Sequence, residues 1–312
     1  MLKTLKEYRL NCKLMGSAFE LILVHNDEKE ATVLLRRGVD EIKRIEALLS
    51  TFIEGSVISL INKNAGIKAI TVSDEVFGLF KRSLQISDLT EGAFDISVGP
   101  LKQLYDFKNQ TFEIPQKNNI QAALKKVGYK KIVLSSKNKT VFLKKKNMQI
   151  SFAAIGKGYA ADCVKKIWRQ AGVHAGVINA SGDLTTLGHR ADGSHWKIGI
   201  TSSDKKNILF YLPVENAAVA TSGDEEQFFI HQNKKYSHNI NPKTGHPLEG
   251  LKSITVFSPS AELSDALATA VYVMGIKKGL YFVDQLPSTH CIIIDSKNKV
   301  FFSKKLQLQY EK

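Results

Sequence analysis

Cysteine is scarce in this chain of 312 residues: Cys12, Cys163 and Cys291 are scattered and odd in number. There is no CxxC spacing to hold zinc and no even set to frame secreted disulfides, so the three read as packing residues. The first thirty residues lack an apolar run long enough for a signal peptide or membrane anchor. No membrane span is therefore expected, and the chain as given reads as cytoplasmic, or as periplasmic or membrane-anchored if a leader was trimmed. Internal repeats and low-complexity linkers are missing too, so a single domain over residues 1–312 is expected. Acidic residues are outnumbered, 30 against 44 Lys and Arg, which leaves a net charge of +14. Such a charge suits a polyanionic partner. Much of it, however, sits in short runs: Lys144-Lys145-Lys146, Lys205-Lys206, Lys234-Lys235 and Lys304-Lys305. These are not interleaved with aromatics as a stacking platform would be. Nucleic-acid binding is not expected; a background field for a phosphate-rich ligand is.

What is present is an ordinary globular composition, 43% hydrophobic and 24% charged, with enough length to bury a sizeable core. Residues 18–24 alternate as a strand, and residues 28–52 place Leu35, Val39, Ile42, Ile45, Leu49 and Phe52 at helical spacing. A second helix is expected over 74–87 behind a Ser73 cap, then a hairpin over 131–144 and a strand over 148–154. Gly156-Lys157-Gly158 turns the chain into a helix ending near Gly172. Short strands follow around Val177 and over 196–200, 209–212, 228–231 and 254–257. One conspicuous helix covers 261–274, with Ser260 as N-cap and Gly275 as its stop. A hairpin of 291–294 with 300–302 closes the chain. The fold class is α+β, without the regular βα alternation of a doubly wound sheet.

Four stretches carry candidate chemistry. In the helix over 261–274, Asp265 and Thr269 are four apart, so both oxygens lie on one face among small or apolar neighbours. That pair serves equally as helix-terminus support with a back-bonded threonine, or as a hard oxygen site for Mg²⁺; spacing alone favours the former. In Ser151-Phe152-Ala153-Ala154-Ile155-Gly156-Lys157-Gly158, a turn brings backbone and one lysine toward an anion. It is neither a P-loop nor GxGxxG, and taken alone it is an ordinary turn. The loop from Thr90 to Leu101 pairs the Phe94 ring with the Asp95 acceptor, as a structural turn or as a binding loop for a flat heterocycle. The stretch Tyr236-Ser237-His238-Asn239-Ile240-Asn241-Pro242-Lys243-Thr244-Gly245, with Ala220 to Asp224 before it, holds His238, the one histidine that stands out.

Met15-Gly16-Ser17, residues 92–101, 154–162, 179–183, 220–224, 236–245 and 260–270 occur in an order and spacing that together resemble the FAD:protein FMN transferase (ApbE) family. The resemblance spans about residues 14–275 and implies one α+β catalytic fold with FAD in a cleft and Mg²⁺ at its pyrophosphate. By motif position it implies the Ala154 carbonyl, the Asp265 carboxylate and the Thr269 hydroxyl as metal ligands. Flavin-nucleotide contacts would come from Met15, Ala93, Phe94, Asp95, Ser151 and Lys157, with Phe52 a weaker candidate. His238 matches the family's histidine beside the nucleotide and is a candidate proton acceptor. The implied partner is a protein with an acceptor Thr or Ser; FAD pyrophosphate hydrolysis and non-catalytic FAD binding are the alternatives. Two positions depart from the pattern. Ser151 replaces the usual Asp before the turn, and cannot give a charged bidentate contact. Asn241 replaces the usual Asp of the H-x-x-D-P turn.

Overall fold

The computed structural model describes residues 4–107, 114–201, 208–224, 228–232, 234–304 and 306. The chain opens with a hairpin, β1 (Lys6–Leu14) and β2 (Ser17–His25). Its two-residue turn, Met15-Gly16, has φ of 50° and 71°, the left-handed pair that matches strand twist. Helix α1 (Glu28–Leu49) is capped by the Asp27 carboxylate. It is followed by α2 (Val57–Lys63), β3 (Ile70–Thr71), α3 (Asp74–Leu89), α4 (Gly99–Lys102), α5 (Lys117–Leu124), β4 (Ile132–Ser135) and β5 (Thr140–Leu143). The second half runs α6 (Gly156–Gln170), β6 (Gly176–Ala180), β7 (Asp183–Leu187), β8 (Trp196–Thr201), β9 (Ile208–Val214) and β10 (Ala218–Gly223). Then come β11 (Phe228–His231), β12 (Lys234–Ser237), β13 (Leu251–Ser258), α7 (Ala261–Asp284), β14 (His290–Asp295) and β15 (Val300–Phe302).

Eight strands form one antiparallel sheet in the order β1-β2-β6-β7-β10-β13-β14-β15. Strand period sorts β2 between its two faces. Phe19, Leu21 and Leu23 join the cluster beneath α1, α6 and α7, whereas Ile22 and Val24 pack toward Trp196, Ile200, Leu212 and Val214 of the β8–β9 ribbon. The sheet is thus covered on both sides, which is why residues 21–24 are apolar without a break. A third cluster, Leu101, Tyr105, Ile120, Val127 and Phe229, fixes α4 and α5 against the β11–β12 hairpin. Helix α7 is apolar and long enough to cross a membrane by length and composition. It is instead packed on the sheet beside α6, with Ala266, Leu267, Ala270, Val271 and Tyr272 buried.

Three boundaries differ from expectation. Residues 148–152 carry no regular secondary structure and 153–154 enter a turn, so no strand forms there. The Asn62 amide pairs with both backbone groups of Ile150, accepting from its N–H at 2.8 Å and donating to its carbonyl at 3.0 Å, in place of a neighbouring strand. Helix α1 ends at Leu49 and not at Phe52, because the Ser50 hydroxyl takes the N–H groups of Phe52 and Ile53. Gly275, at φ 74° and ψ −179°, does break α7, but helical chain resumes beyond it to Asp284. All three cysteines are free, and burial lifts the Cys291 thiol to about 12.

One buried cation lies outside the site described below. Lys165 of α6 is 6% exposed and donates to the Thr185 hydroxyl at 2.9 Å; burial, with Arg169 nearby, lowers its amine to about 8. Below that pH the ammonium is charged in both folded and unfolded chains, and the folded state carries the whole burial penalty. Between about 8 and the ordinary 10.5 only the folded chain gives up its proton, so this group's contribution to stability rises with pH. Lys165→Met is therefore expected to be more stable than the parent in urea unfolding at pH 7, with the margin narrowing by pH 10. A margin that does not change with pH would contradict the assignment.

Candidate active site at the crossing of two helices

Helices α6 and α7 cap each other. The α6 entry has Ile155 as N-cap, whose side chain offers no hydrogen bond. Its Gly158 N–H donates instead to Asp265 Oδ2 of α7 at 3.1 Å. In a regular helix that N–H would reach the carbonyl four residues back, that of Ala154; among the described residues the Ala154 carbonyl receives no hydrogen bond. In return, Asp162 of α6 accepts from the N–H groups of Ala261 and Glu262 at the start of α7, at 3.1 and 2.9 Å. Burial pushes the Asp162 carboxyl above the usual carboxylate range, and these backbone donors pull the other way. Ser260 completes the α7 cap, accepting from Leu263 N–H. The crossing is tight enough that a Cβ built on Gly158 would lie 2.1 Å from the Ala261 carbonyl oxygen. Two positive helix ends are thereby held in contact, a favourable place for an anion.

A ring of polar contacts surrounds this crossing. Lys157, next to Gly158, pairs with Asp183 at 2.5 Å, and both side chains are largely buried. The other Asp183 oxygen accepts from Thr221 N–H at 3.0 Å. Its neighbour Ser222 has its hydroxyl 3.4 Å from that of Thr269. Thr269 stands one turn from Asp265, which returns the circuit to Gly158. Asp265 is 6% exposed and Asp183 3%, and burying such polar groups is costly without partners of this kind. Asp224 follows on the Ser222 side of β10. Its Oδ1 is buried with no hydrogen-bond partner among the described residues, and the Lys235 ammonium lies 3.2 Å away.

The remaining residues named from sequence fall around this ring at different depths. Met15, in its left-handed turn, donates its N–H to Glu46 and reaches toward Gly156: a Cβ there would be 3.5 Å from Met15 Cε. Ser151 donates its N–H to the Ile96 carbonyl, tying the entry loop of α6 to the 93–97 loop, while its hydroxyl accepts from Ala153 N–H. Asp95 is spent inside that loop, accepting from the Ser97 N–H and hydroxyl and from Tyr129 N–H at 2.6–2.8 Å. Burial raises its carboxyl against the pull of those donors. Phe94 is 1% exposed and Ala93 6%, so both side chains are packed inside, and the Asp95 carboxylate is turned inward with them. Phe52 is 96% exposed and is not brought against the others.

His238 is half-buried just after β12. Tyr272 lies seven residues after Asp265 on the same face of α7, and donates its hydroxyl to the Leu251 carbonyl at 2.6 Å. The Ser237 hydroxyl also bears on that phenol, which puts His238 one residue from a contact with the site helix. Asn241 forms an Asx turn, accepting from Lys243 and Thr244 N–H. One side-chain oxygen suffices for that, so Asn does here what Asp would do.

Asp162, Asp183 and Ser222 were not singled out from sequence. Each lies within or at the end of a motif stretch, but its partner is distant along the chain, and no local pattern shows the pairing. The oxygens named for a metal from sequence are a carboxylate and a hydroxyl one turn apart on α7, and a main-chain carbonyl that accepts no N–H among the described residues. That set fits a hard divalent cation.

The sequence profile of the ApbE family matches residues 15–293. The chain belongs to the ApbE family. An FAD:protein FMN transferase of Klebsiella pneumoniae (strain 342) is 30% identical over 306 residues, covering 97% of this chain and 94% of that protein. Its Escherichia coli (strain K12) counterpart is 29% identical over 276 residues, 86% of this chain and 79% of that one. An ApbE crystal structure from Thermotoga maritima superposes with a TM-score of 0.88 at 30% identity, over 96% of this chain and 97% of that one. The flavinyl transferase ApbE of Pseudomonas stutzeri gives 0.86 at 26% identity, over 97% and 96%. The mixed α and β architecture described above is thus that of the ApbE structures.

Proposed function

We propose that this ApbE-family chain binds FAD with Mg²⁺ and transfers the FMN half onto a Thr or Ser hydroxyl of an acceptor protein, releasing AMP. The observation that carries the reading is the α6–α7 crossing, where the Gly158 N–H beside Lys157 donates to Asp265, and Thr269, one turn on from Asp265, has its hydroxyl 3.4 Å from that of Ser222. Relatives named FAD:protein FMN transferase support the reaction class. The Ala154 carbonyl, the Asp265 carboxylate and the Thr269 hydroxyl would hold the metal, which supplies charge neutralisation at the pyrophosphate.

Lys157 adds a fixed cation, kept in place by Asp183. The flavin nucleotide would lie along Met15, the Ala93–Asp95 backbone, Ser151 and Lys157. The acceptor oxygen forms a bond to the phosphorus on the riboflavin side, the bond from that phosphorus to the AMP oxygen breaks, and His238 takes the hydroxyl proton. Positioning and charge neutralisation suffice for such phosphoryl transfer, so no enzyme nucleophile is needed.

The test is mass spectrometry of a threonine peptide incubated with enzyme, FAD and Mg²⁺. A gain equal to the FMN group is expected; FMN and AMP with an unlabelled peptide would mean hydrolysis. For His238→Ala, transfer is expected to slow by about a hundredfold with little change in FAD affinity. An unchanged rate would remove its role as proton acceptor.

A further inference from the structure

On the face of the main sheet opposite α6 and α7, three metal-binding side chains converge. His189 and His195 bracket the connection from β7 to β8, and Glu215 directly follows β9. The convergence follows from the ladder: Trp196 pairs with Val214 in register, so the residues just outside that pair, His195 and Glu215, are neighbours at the ribbon's end. His189 is brought in from the other side by the Gly188 N–H, which donates to Asn216 Oδ1 at 3.1 Å.

The loop between the histidines is braced. Arg190 N–H donates to the Ser194 carbonyl, and Asp192 takes the Ser194 N–H and hydroxyl. The Arg190 guanidinium is held by both oxygens of Glu7 on β1, and the Trp196 indole donates to the Leu187 carbonyl across the loop's base.

His189 Nε2 lies 3.5 Å and His195 Nδ1 3.7 Å from the same oxygen, Glu215 Oε2. All three ligand atoms are within 4.8 Å of one another. Those separations are too long for good hydrogen bonds. They are close to what one shared ion requires: bonds of about 2.0–2.1 Å in a tetrahedron place ligand atoms roughly 3.3–3.5 Å apart. All three side chains are 41–52% exposed, so an ion would reach them directly and keep water in its remaining positions. Two imidazoles and one carboxylate select a borderline transition metal over magnesium or calcium.

We propose that His189, His195 and Glu215 form a binding site for one divalent cation of the zinc class, which clips the β7–β8 connection to the end of β9. This site stands on its own donors, independent of the α6–α7 crossing and of the flavin chemistry.

Isothermal titration of the whole protein with Zn²⁺, in saturating Mg²⁺, tests it. One Zn²⁺ is expected to bind the parent. His195→Ala and Glu215→Gln should each weaken that event by at least about a hundredfold, since loss even of outer-shell partners costs ten- to a hundredfold. Asp265→Asn should leave it unchanged, which separates it from any zinc taken at the crossing. Co²⁺ in place of Zn²⁺ should give visible bands in the parent and in Asp265→Asn that are absent from His195→Ala. No zinc binding in the parent, or equal affinity in His195→Ala and Glu215→Gln, would overturn the proposal and leave the trio as surface ion pairs.

Discussion

Asp265→Asn is expected to lower the rate of FMN transfer by about a thousandfold while leaving the melting temperature nearly unchanged. The carboxylate has two tasks, and the substitution separates them. As a cap it accepts the Gly158 N–H at 3.1 Å, and an asparagine side-chain oxygen accepts the same bond. As a charge it would balance the cation at the pyrophosphate, which a neutral amide cannot do. Several kcal/mol of lost transition-state stabilisation corresponds to roughly three powers of ten in rate. Asp265→Ala removes both tasks. It leaves a buried N–H unpaired at a cost of about 1–3 kcal/mol, so a fall in melting temperature of several degrees should accompany the lost rate. Steady-state AMP release at saturating Mg²⁺ and calorimetry of both variants check this. Full turnover in Asp265→Asn would reduce the residue to a helix cap.

Gly158→Ala should be the most damaging single methyl group in the molecule. Its Cβ would lie 2.1 Å from the oxygen and 2.5 Å from the carbon of the Ala261 carbonyl, and 2.8 Å from Glu262 nitrogen. These are main-chain atoms at the start of α7, with no side chain to rotate away. The helices would have to part, stretching the Gly158–Asp265 bond and the two from Asp162 to α7 together. Overpacking a rigid contact costs about 1–3 kcal/mol, and weakening three buried hydrogen bonds adds to it. The expected result is a clearly lowered urea midpoint and transfer reduced to background, because the same bonds position Asp265. A variant with parental midpoint and rate would show that the crossing does not hold the site.

The sequence was informative where function and local structure coincide. Ser260, the Asp265–Thr269 spacing and Gly275 mark α7 because caps, helical faces and glycine breaks are short-range devices. The Gly-Lys-Gly entry to α6 was visible for the same reason. Residues 148–154 read as a strand because apolar periodicity reports side-chain burial and not the partner of the backbone; Asn62, nearly ninety residues away, supplies it. Strands β7 and β10 escaped notice because Thr185, Thr186, Thr221 and Ser222 interrupt any apolar alternation, though they lie inside the sheet. The ring of contacts was invisible in principle: Gly158 meets Asp265 across 107 positions, and no periodicity spans that distance. Asp95 shows the converse. Its aromatic neighbour and glycine setting suited a ligand loop equally well, and only the three donors around it reveal a carboxylate used to close the turn.

AMP release from FAD by the intact protein, with and without an acceptor threonine peptide, in Mg²⁺ and in chelator, tests the transferase reading most directly. The expected result is AMP that requires both peptide and Mg²⁺ and appears in equal amount to flavin-labelled peptide. AMP at the same rate without peptide, or undiminished in chelator, would contradict a metal-dependent transfer to protein.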